Sequence, residues 1–163
     1  MRRLWWILVG LAASGLLLVF GLRSAPEGDI RKTVQGAANV IELAVNRRDL
    51  SGVEAYFATP AEGANLAGLG QTIGQLRSFT THLNGGDQMQ VHSFQIQSVA
   101  VHESDGLARA TYRLHFSLIR GGAAIYTAVV TQDLALLKTP RGWRISGGDQ
   151  PQLSDVSGQW PPR

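Results

Sequence analysis

Apolar residues at positions 30, 34, 37, 38, 41, 44 and 45 recur every three or four places, while Arg31, Lys32, Gln35, Glu42 and Arg47 fall elsewhere. That period predicts an amphipathic helix of four to five turns, with Asp29 as its cap after a juxtamembrane break at residues 24–28. Asn46-Arg47-Arg48-Asp49 reads as a corner before a short second helix, capped by Asp49 or by a Ser51/Glu54 box, with Val53, Tyr56 and Phe57 buried. Thr59-Pro60 stops it. A third helix is expected from about Glu62 to Leu83, because Leu66, Leu69, Ile73, Leu76, Phe79 and Leu83 form one stripe. Glycines at 63, 68, 70 and 74 lower its intrinsic propensity by up to about 1 kcal/mol each, but they also permit close approach of a partner. The helix is therefore expected to owe its order to a sheet beneath it, and Asn84-Gly85-Gly86-Asp87 ends it.

After Asp87 the period changes to two. Residues 89–102 read as a strand with a bulge: Met89 and Val91 keep one phase, Phe94 and Ile96 the opposite one, and Val99 and Val101 return. An Asp105-Gly106 turn leads into a second strand, where Ala108, Ala110, Tyr112, Leu114, Phe116 and Leu118 alternate with Arg109, Thr111, Arg113, His115 and Ser117. A third strand covers residues 123–138 and is apolar in both phases, as expected of a central strand, and a fourth covers 143–146. Residues 148–163 show no usable periodicity and read as an irregular tail whose one large apolar group is Trp160.

The start of the chain adds a different kind of segment. Residues 4–22, LWWILVGLAASGLLLVFGL, carry no charge, and at about 1.5 Å per residue they match the hydrocarbon core of a bilayer. Arg2 and Arg3 favour the cytoplasmic side, Trp5 and Trp6 suit the headgroup level, and Arg23 closes the span. A small-x-small cleavage site is missing near the end of the run, because Arg23 occupies the position that should be small, and a chain without cysteine has no lipid attachment site. The expectation is an uncleaved single-pass anchor (residues 1–27) in the cell membrane, with the N-terminus cytoplasmic. Residues 28–147 would form one domain outside the cytoplasm, and 148–163 a tail.

Charge adds little beyond this. Of the net +3, Arg2, Arg3 and Arg23 account for all, leaving twelve basic against twelve acidic residues from position 24 onward, so nucleic acid is not an expected partner. The lack of cysteine removes disulfides, thiolate nucleophiles and cysteine-held metals.

Helices followed by hairpin-linked strands give an α+β class, with helices covering one face of an antiparallel sheet. In this order the chain also resembles the NTF2-like superfamily, also termed SnoaL-like, whose curved sheet makes a cystatin-like cone. The likeness lies in the corner Ala44-Val45-Asn46-Arg47-Arg48-Asp49-Leu50, the strand entry Asp105-Gly106-Leu107-Ala108-Arg109-Ala110, and the closing Gly142-Trp143-Arg144-Ile145. The resemblance implies a cone with room for a pocket, in a superfamily that holds isomerases, dehydratases, small-ligand binders and non-catalytic domains, some carried on one membrane helix.

A pocket enzyme of that kind needs an acid or base inside an apolar cavity. Asp133 is the candidate, since it interrupts an apolar run on the central strand, and Tyr112 and Tyr126 are candidate oxyanion donors, although Tyr126 falls in the opposite phase from Asp133. His82, His92, His102 and His115 show no metal-ligand spacing, no Gly-x-Ser-x-Gly elbow exists, and the glycines at 68, 70 and 74 lack the lysine of a phosphate loop. No cofactor and no metal are expected. The basic strand face of Arg109, Arg113, His115 and Arg144, with Trp160 in the tail, is the candidate docking surface for a membrane-protein partner or a second copy. The leading expectation is thus a non-enzymatic, membrane-tethered accessory domain; the alternative is a ligand-binding or lyase/isomerase pocket using Asp133, which fails if Phe94, Phe116 and Tyr126 plug the cone.

Overall fold

The computed structural model describes residues 3–64 and 66–162, with side chains described from residue 25 onward apart from residue 66. Helix α1 (Arg3–Arg47) leads to the single turn α2 (Ser51–Glu54), a 3-10 turn at Pro60–Glu62, and helix α3 (Leu66–Thr81). Strands β1 (Gln88–His102), β2 (Leu107–Arg120), β3 (Ala123–Thr139), β4 (Gly142–Gly148) and β5 (Gln152–Gly158) follow. The α+β layout expected from the sequence is present, with helices packed on a curved antiparallel sheet.

Strands β1, β2 and β3 form a meander, and β4 and β5 both pair with β3. β4 takes residues 134–139 and β5 takes 126–131, so the two lie end to end along one edge of the central strand. Two register shifts in β1, at Val91/Ser93 and Ile96/Ser98, account for the alternating phase seen in the sequence. Each extra residue flips the side-chain phase, so Met89, Val91, Phe94, Ile96, Val99 and Val101 all join the apolar clusters under the helices. Ile30, Val34, Ala37, Ala44 and Val45 of α1 are buried, as their spacing predicts.

Polar side chains of α1 cover the free edge of β1. Asn46 Nδ2 donates to the Met89 carbonyl at 2.9 Å and its Oδ1 accepts from the Met89 amide at 2.6 Å, while Glu42 Oε2 accepts from the Val91 amide at 2.8 Å. Backbone groups that would otherwise invite another strand are thereby satisfied.

Four expectations are corrected. Helix α1 runs through residues 24–28 without a break, with Pro26 inside it. A proline removes one helical hydrogen bond, and here the Arg31–Glu27 pair at 2.8 Å bridges the following turn. The Ser51/Glu54 box does not form: Asp49 Oδ1 accepts from the Ser51 amide at 3.0 Å, and Glu54 meets Arg77 at 2.6 Å. α3 starts at Leu66 rather than Glu62, because Glu62 turns back to the Thr59 amide and to Arg141, closing a capping box around the 3-10 turn. The tail contains a strand, β5, which takes the length of β3 edge that β4 leaves open.

The apolar run at residues 4–22, with Arg2, Arg3, Trp5, Trp6 and Arg23, lies outside the residues whose side chains are described. Among the residues whose side chains are described, no helical stretch is long and apolar enough to cross a membrane.

The glycines of α3 divide into two kinds. A Cβ built at Gly147 of β4 would lie 3.1 Å from the Gly68 carbonyl carbon, whereas one at Gly68 would meet nothing nearer than 3.8 Å, so it is Gly147 that lets α3 rest on β4. At Gly74 an added Cβ meets nothing within 4 Å. Gly147→Ala is expected to destabilise by about 1–3 kcal/mol through overpacking, whereas Gly74→Ala is expected to stabilise by up to about 1 kcal/mol through helix propensity. Opposite shifts of the urea midpoint check both.

Candidate functional site

Between α1, α3 and the inner face of the sheet lies a cavity of about 660 Å³. α1 supplies Val34, Ala38 and Ile41, and α3 supplies Thr72, Leu76 and Phe79. The floor is Phe94, Tyr112, Leu114, Phe116, Val130 and Leu134, and the segment after β4 adds Gln150, Pro151, Leu153 and Trp160. Phe94, Phe116 and Tyr126 therefore line the cone without plugging it.

One polar pair sits in this apolar floor. Tyr112 Oη donates to Gln132 Oε1 at 2.7 Å, and Gln132 Nε2 donates to the Asp149 carbonyl at 2.7 Å. Burial pushes the Tyr112 phenol far above its usual range, so it stays protonated, and burial raises that of Tyr126 as well.

Trp160 lines the cavity from the tail while remaining partly exposed. Its ring stacks on Phe79 with centroids 4.9 Å apart and planes 5° from parallel, and it also meets Tyr126 at 5.5 Å and His82 at 6.1 Å. It belongs to the inner face and does not share a surface with Arg109, Arg113 and His115.

Asp133 is placed differently from the sequence expectation. It occupies the opposite phase of β3 from Gln132 and Leu134, is absent from the cavity wall, and accepts from Thr111 Oγ1 at 2.6 Å, which in turn accepts from Ser98 Oγ at 3.0 Å. It is an outer-face carboxylate. Tyr112 and Tyr126 do reach the cavity, because every even position from 126 to 134 points inward once β3 is paired between β2 and β5.

The outer face gathers the other candidates. Arg109 pairs with Asp149 at 3.3 Å and Arg113 with Asp155 at 3.4 Å. The His115 ring lies 4.7 Å from that of His92, whose Nε2 is 2.7 Å from Ser117 Oγ, and Arg144 donates to the Trp143 carbonyl at 2.8 Å. Among the described residues no group of three His, Cys, Asp or Glu side chains converges to hold a metal.

No family model matches this chain. A search of curated proteins finds no match either. Among solved structures, the chain is similar to a Novosphingobium aromaticivorans protein assigned as an aromatic ring hydroxylase, at 20% identity and a TM-score of 0.48, covering 83% of this chain and 96% of that one. It is similar at 17% identity and a TM-score of 0.47 to a Streptomyces avermitilis protein assigned as a dehydratase of the NTF2-like family, covering 76% and 95%. A third likeness, 12% identical with a TM-score of 0.45, is to the intermembrane space region of the chloroplast protein ARC6, covering 80% and 95%. Likenesses of this degree assign no activity, ligand or partner to the chain.

The wall of the cavity decides what it can do chemically. Among the described residues that line it there is no Asp, Glu, His, Lys or Arg. Such a wall has no group to move a proton at neutral pH or to balance a charge, but it suits burial of an apolar surface. Gln132 was the residue that sequence reasoning missed. Its signal was a polar side chain in the apolar phase of a central strand, beside the more conspicuous Asp133 in the wrong phase.

Proposed function

We propose that this domain binds a small, largely apolar molecule in the cavity between α1, α3 and the sheet, and that residues 4–22 tether it to a membrane with the domain outside the cytoplasm. The observation that carries the reading is an unplugged cavity of about 660 Å³ with an apolar wall and a single polar pair on its floor. That volume falls within the roughly 300–1,000 Å³ usual for small-molecule sites. The sequence resemblance to NTF2-like cones, and the element order, support the same reading. Tethering rests on the uncharged run and the flanking Arg2, Arg3 and Arg23.

The docking role for the Arg109, Arg113 and His115 face draws less support, because both arginines have acidic partners within the chain.

The test uses the full chain in lipid nanodiscs, titrated with 1-pyrenemethanol and followed by quenching of tryptophan fluorescence. A saturable one-site isotherm above the linear lipid-partition background is expected. A linear response alone counts against the reading, as does recovery of the chain in the soluble fraction counts against tethering. Trp160→Ala is expected to leave the fold intact and speed dissociation of the probe about tenfold, since the stacked, partly exposed indole lines the cavity and its loss removes an aromatic wall from the bound molecule. Stopped-flow release measures this.

A further inference from the structure

The apolar run proposed as the anchor and the first wall of the domain belong to one helix. α1 runs from Arg3 to Arg47, and Ile30, the first fully buried residue among the described side chains, follows Leu22 by only eight residues. At about 1.5 Å per residue that is a rise of about 12 Å. The headgroup layer takes roughly 5–7 Å of it, half the difference between the full thickness of a bilayer and that of its hydrocarbon core. The helix leaves no linker between the two parts, so the end of the domain beside Ile30 is held within about 7 Å of the lipid surface.

α1 and β1 run in opposite directions: Asn46 bonds Met89, Glu42 bonds Val91, and Arg31 Nη1 reaches the Ile96 carbonyl at 3.4 Å. β1 then continues to His102, farther toward the span, by about 20 Å of strand at roughly 3.3 Å per residue. Only about a third of that length has to run along α1 for the β1–β2 hairpin to reach the headgroups. The β3–β4 hairpin lies at the same end. Thr33 Oγ1 is 3.1 Å from the Trp143 carbonyl, and the Lys138 amide donates to the Gly106 carbonyl at 2.8 Å, which sets the two turns side by side. Their exposed side chains are Leu107, at 46% exposure, and the charges Glu103, Asp105, Lys138 and Arg141, balanced in sign. An apolar side chain on a charge-balanced end suits zwitterionic headgroups, because it lacks the basic cluster that selects anionic lipid.

Resting on the tethering part of the reading above, we infer that the β1–β2 and β3–β4 hairpins dock on the headgroups of the bilayer that holds residues 4–22, with Leu107 at the contact. The opposite end of the sheet, where β2 turns into β3, then points to water. Trp160 stands near that end, beside Tyr126 early in β3, so this partly exposed piece of the cavity wall is turned away from the lipid.

The chain has no cysteine, so a bimane fluorophore can be placed on one introduced thiol. The full chain is labelled at Ala25→Cys, Ser104→Cys or Ala123→Cys, all exposed positions, in phosphatidylcholine nanodiscs with and without a headgroup nitroxide that quenches at short range. Ala25 reports on the anchor, Ser104 lies in the β1–β2 turn, and Ala123 is at the far end of β2, about 45 Å of strand away. Quenching at Ser104→Cys is expected to be severalfold stronger than at Ala123→Cys and close to that at Ala25→Cys. If Ala25→Cys is quenched but Ser104→Cys is quenched no more than Ala123→Cys, the inference is overturned while the tether and the pocket both stand. If Ala25→Cys is not quenched either, the tether falls and this inference with it, and the probe isotherm alone judges the pocket. Adding Leu107→Glu to the Ser104→Cys chain should weaken its quenching, and unchanged quenching removes Leu107 from the contact.

Discussion

Replacing Asp87 with alanine is expected to lower stability by about 3 kcal/mol, the scale for a buried ion pair that loses one partner. The Asp87 side chain is fully buried, and Arg120 grips it with two bonds, Nε to Oδ1 at 2.6 Å and a terminal nitrogen to Oδ2 at 3.0 Å. Oδ2 also accepts from the Asn84 amide at 2.9 Å, and Arg48 donates to the Asn84 and Asp87 carbonyls. The carboxylate thus ties the turn after α3 to the end of β2, and Arg48 joins the end of α1 to the same turn through its carbonyls. For a domain of this size the loss corresponds to roughly 10 °C in Tm. Because α3 carries Leu76 and Phe79 of the cavity wall, weaker probe binding should accompany it.

The same carboxylate gives the protein an acid limit. The Arg120 guanidinium and the Asn84 amide hold the Asp87 carboxyl below the usual range, outweighing its burial, which acts the other way. In the unfolded chain it titrates near 3.9. Between that value and the lower folded one the unfolded state binds more protons, so stability rises with pH there. The contribution is complete above the unfolded value and is lost as pH falls through the folded one. Glu62, held down first by Arg141 and then by the Thr59 amide, works in the same direction. Urea midpoints should stay level with respect to these two groups above about pH 5 and fall below about pH 4, with a shallower fall in Asp87→Ala. A gap between wild type and variant that widens on acidification would refute this account.

Much of the fold was legible because it is written in phase. The α1 stripe, the alternation of β2 and the two phase reversals of β1 all name the side that meets the core, and the register shifts sit where the reversals require them. β5 was not legible, since its residues are exposed on both faces and its place depends on backbone pairing with β3, which leaves no hydrophobic pattern. The start of α3 was hidden for a related reason: Glu62 suits a helix by propensity, but the Arg141 side chain, 79 residues away, claims it. At the site, the sequence pointed to the right strand and the wrong neighbour. Asp133 attracted notice by interrupting an apolar run, yet the inward phase belongs to Gln132. Only the Asp149 carbonyl, brought in by the link between β4 and β5, gives that amide its partner.

That choice of phase makes Val130→Trp the sharpest test of where a ligand sits. Val130 lies on the inward phase of the central strand, half-buried, paired with Leu114 on one side and Leu153 on the other, and all three line the cavity. Ala128, two residues earlier, is fully buried and would have no room for a larger side chain. An indole at 130 has open volume to enter, so it should occupy the ligand's place and gain apolar burial at about 25 cal/mol per Å². Stability is then expected to hold or rise, while saturable binding of 1-pyrenemethanol weakens by two orders of magnitude or more, since the site is filled rather than altered. Asp133→Asn supplies the contrast. On the outer face, with Thr111 as its hydrogen-bond partner, it should leave the isotherm unchanged. Binding that survives Val130→Trp but fails in Asp133→Asn would move the site to the other side of the sheet, away from the cavity under the helices.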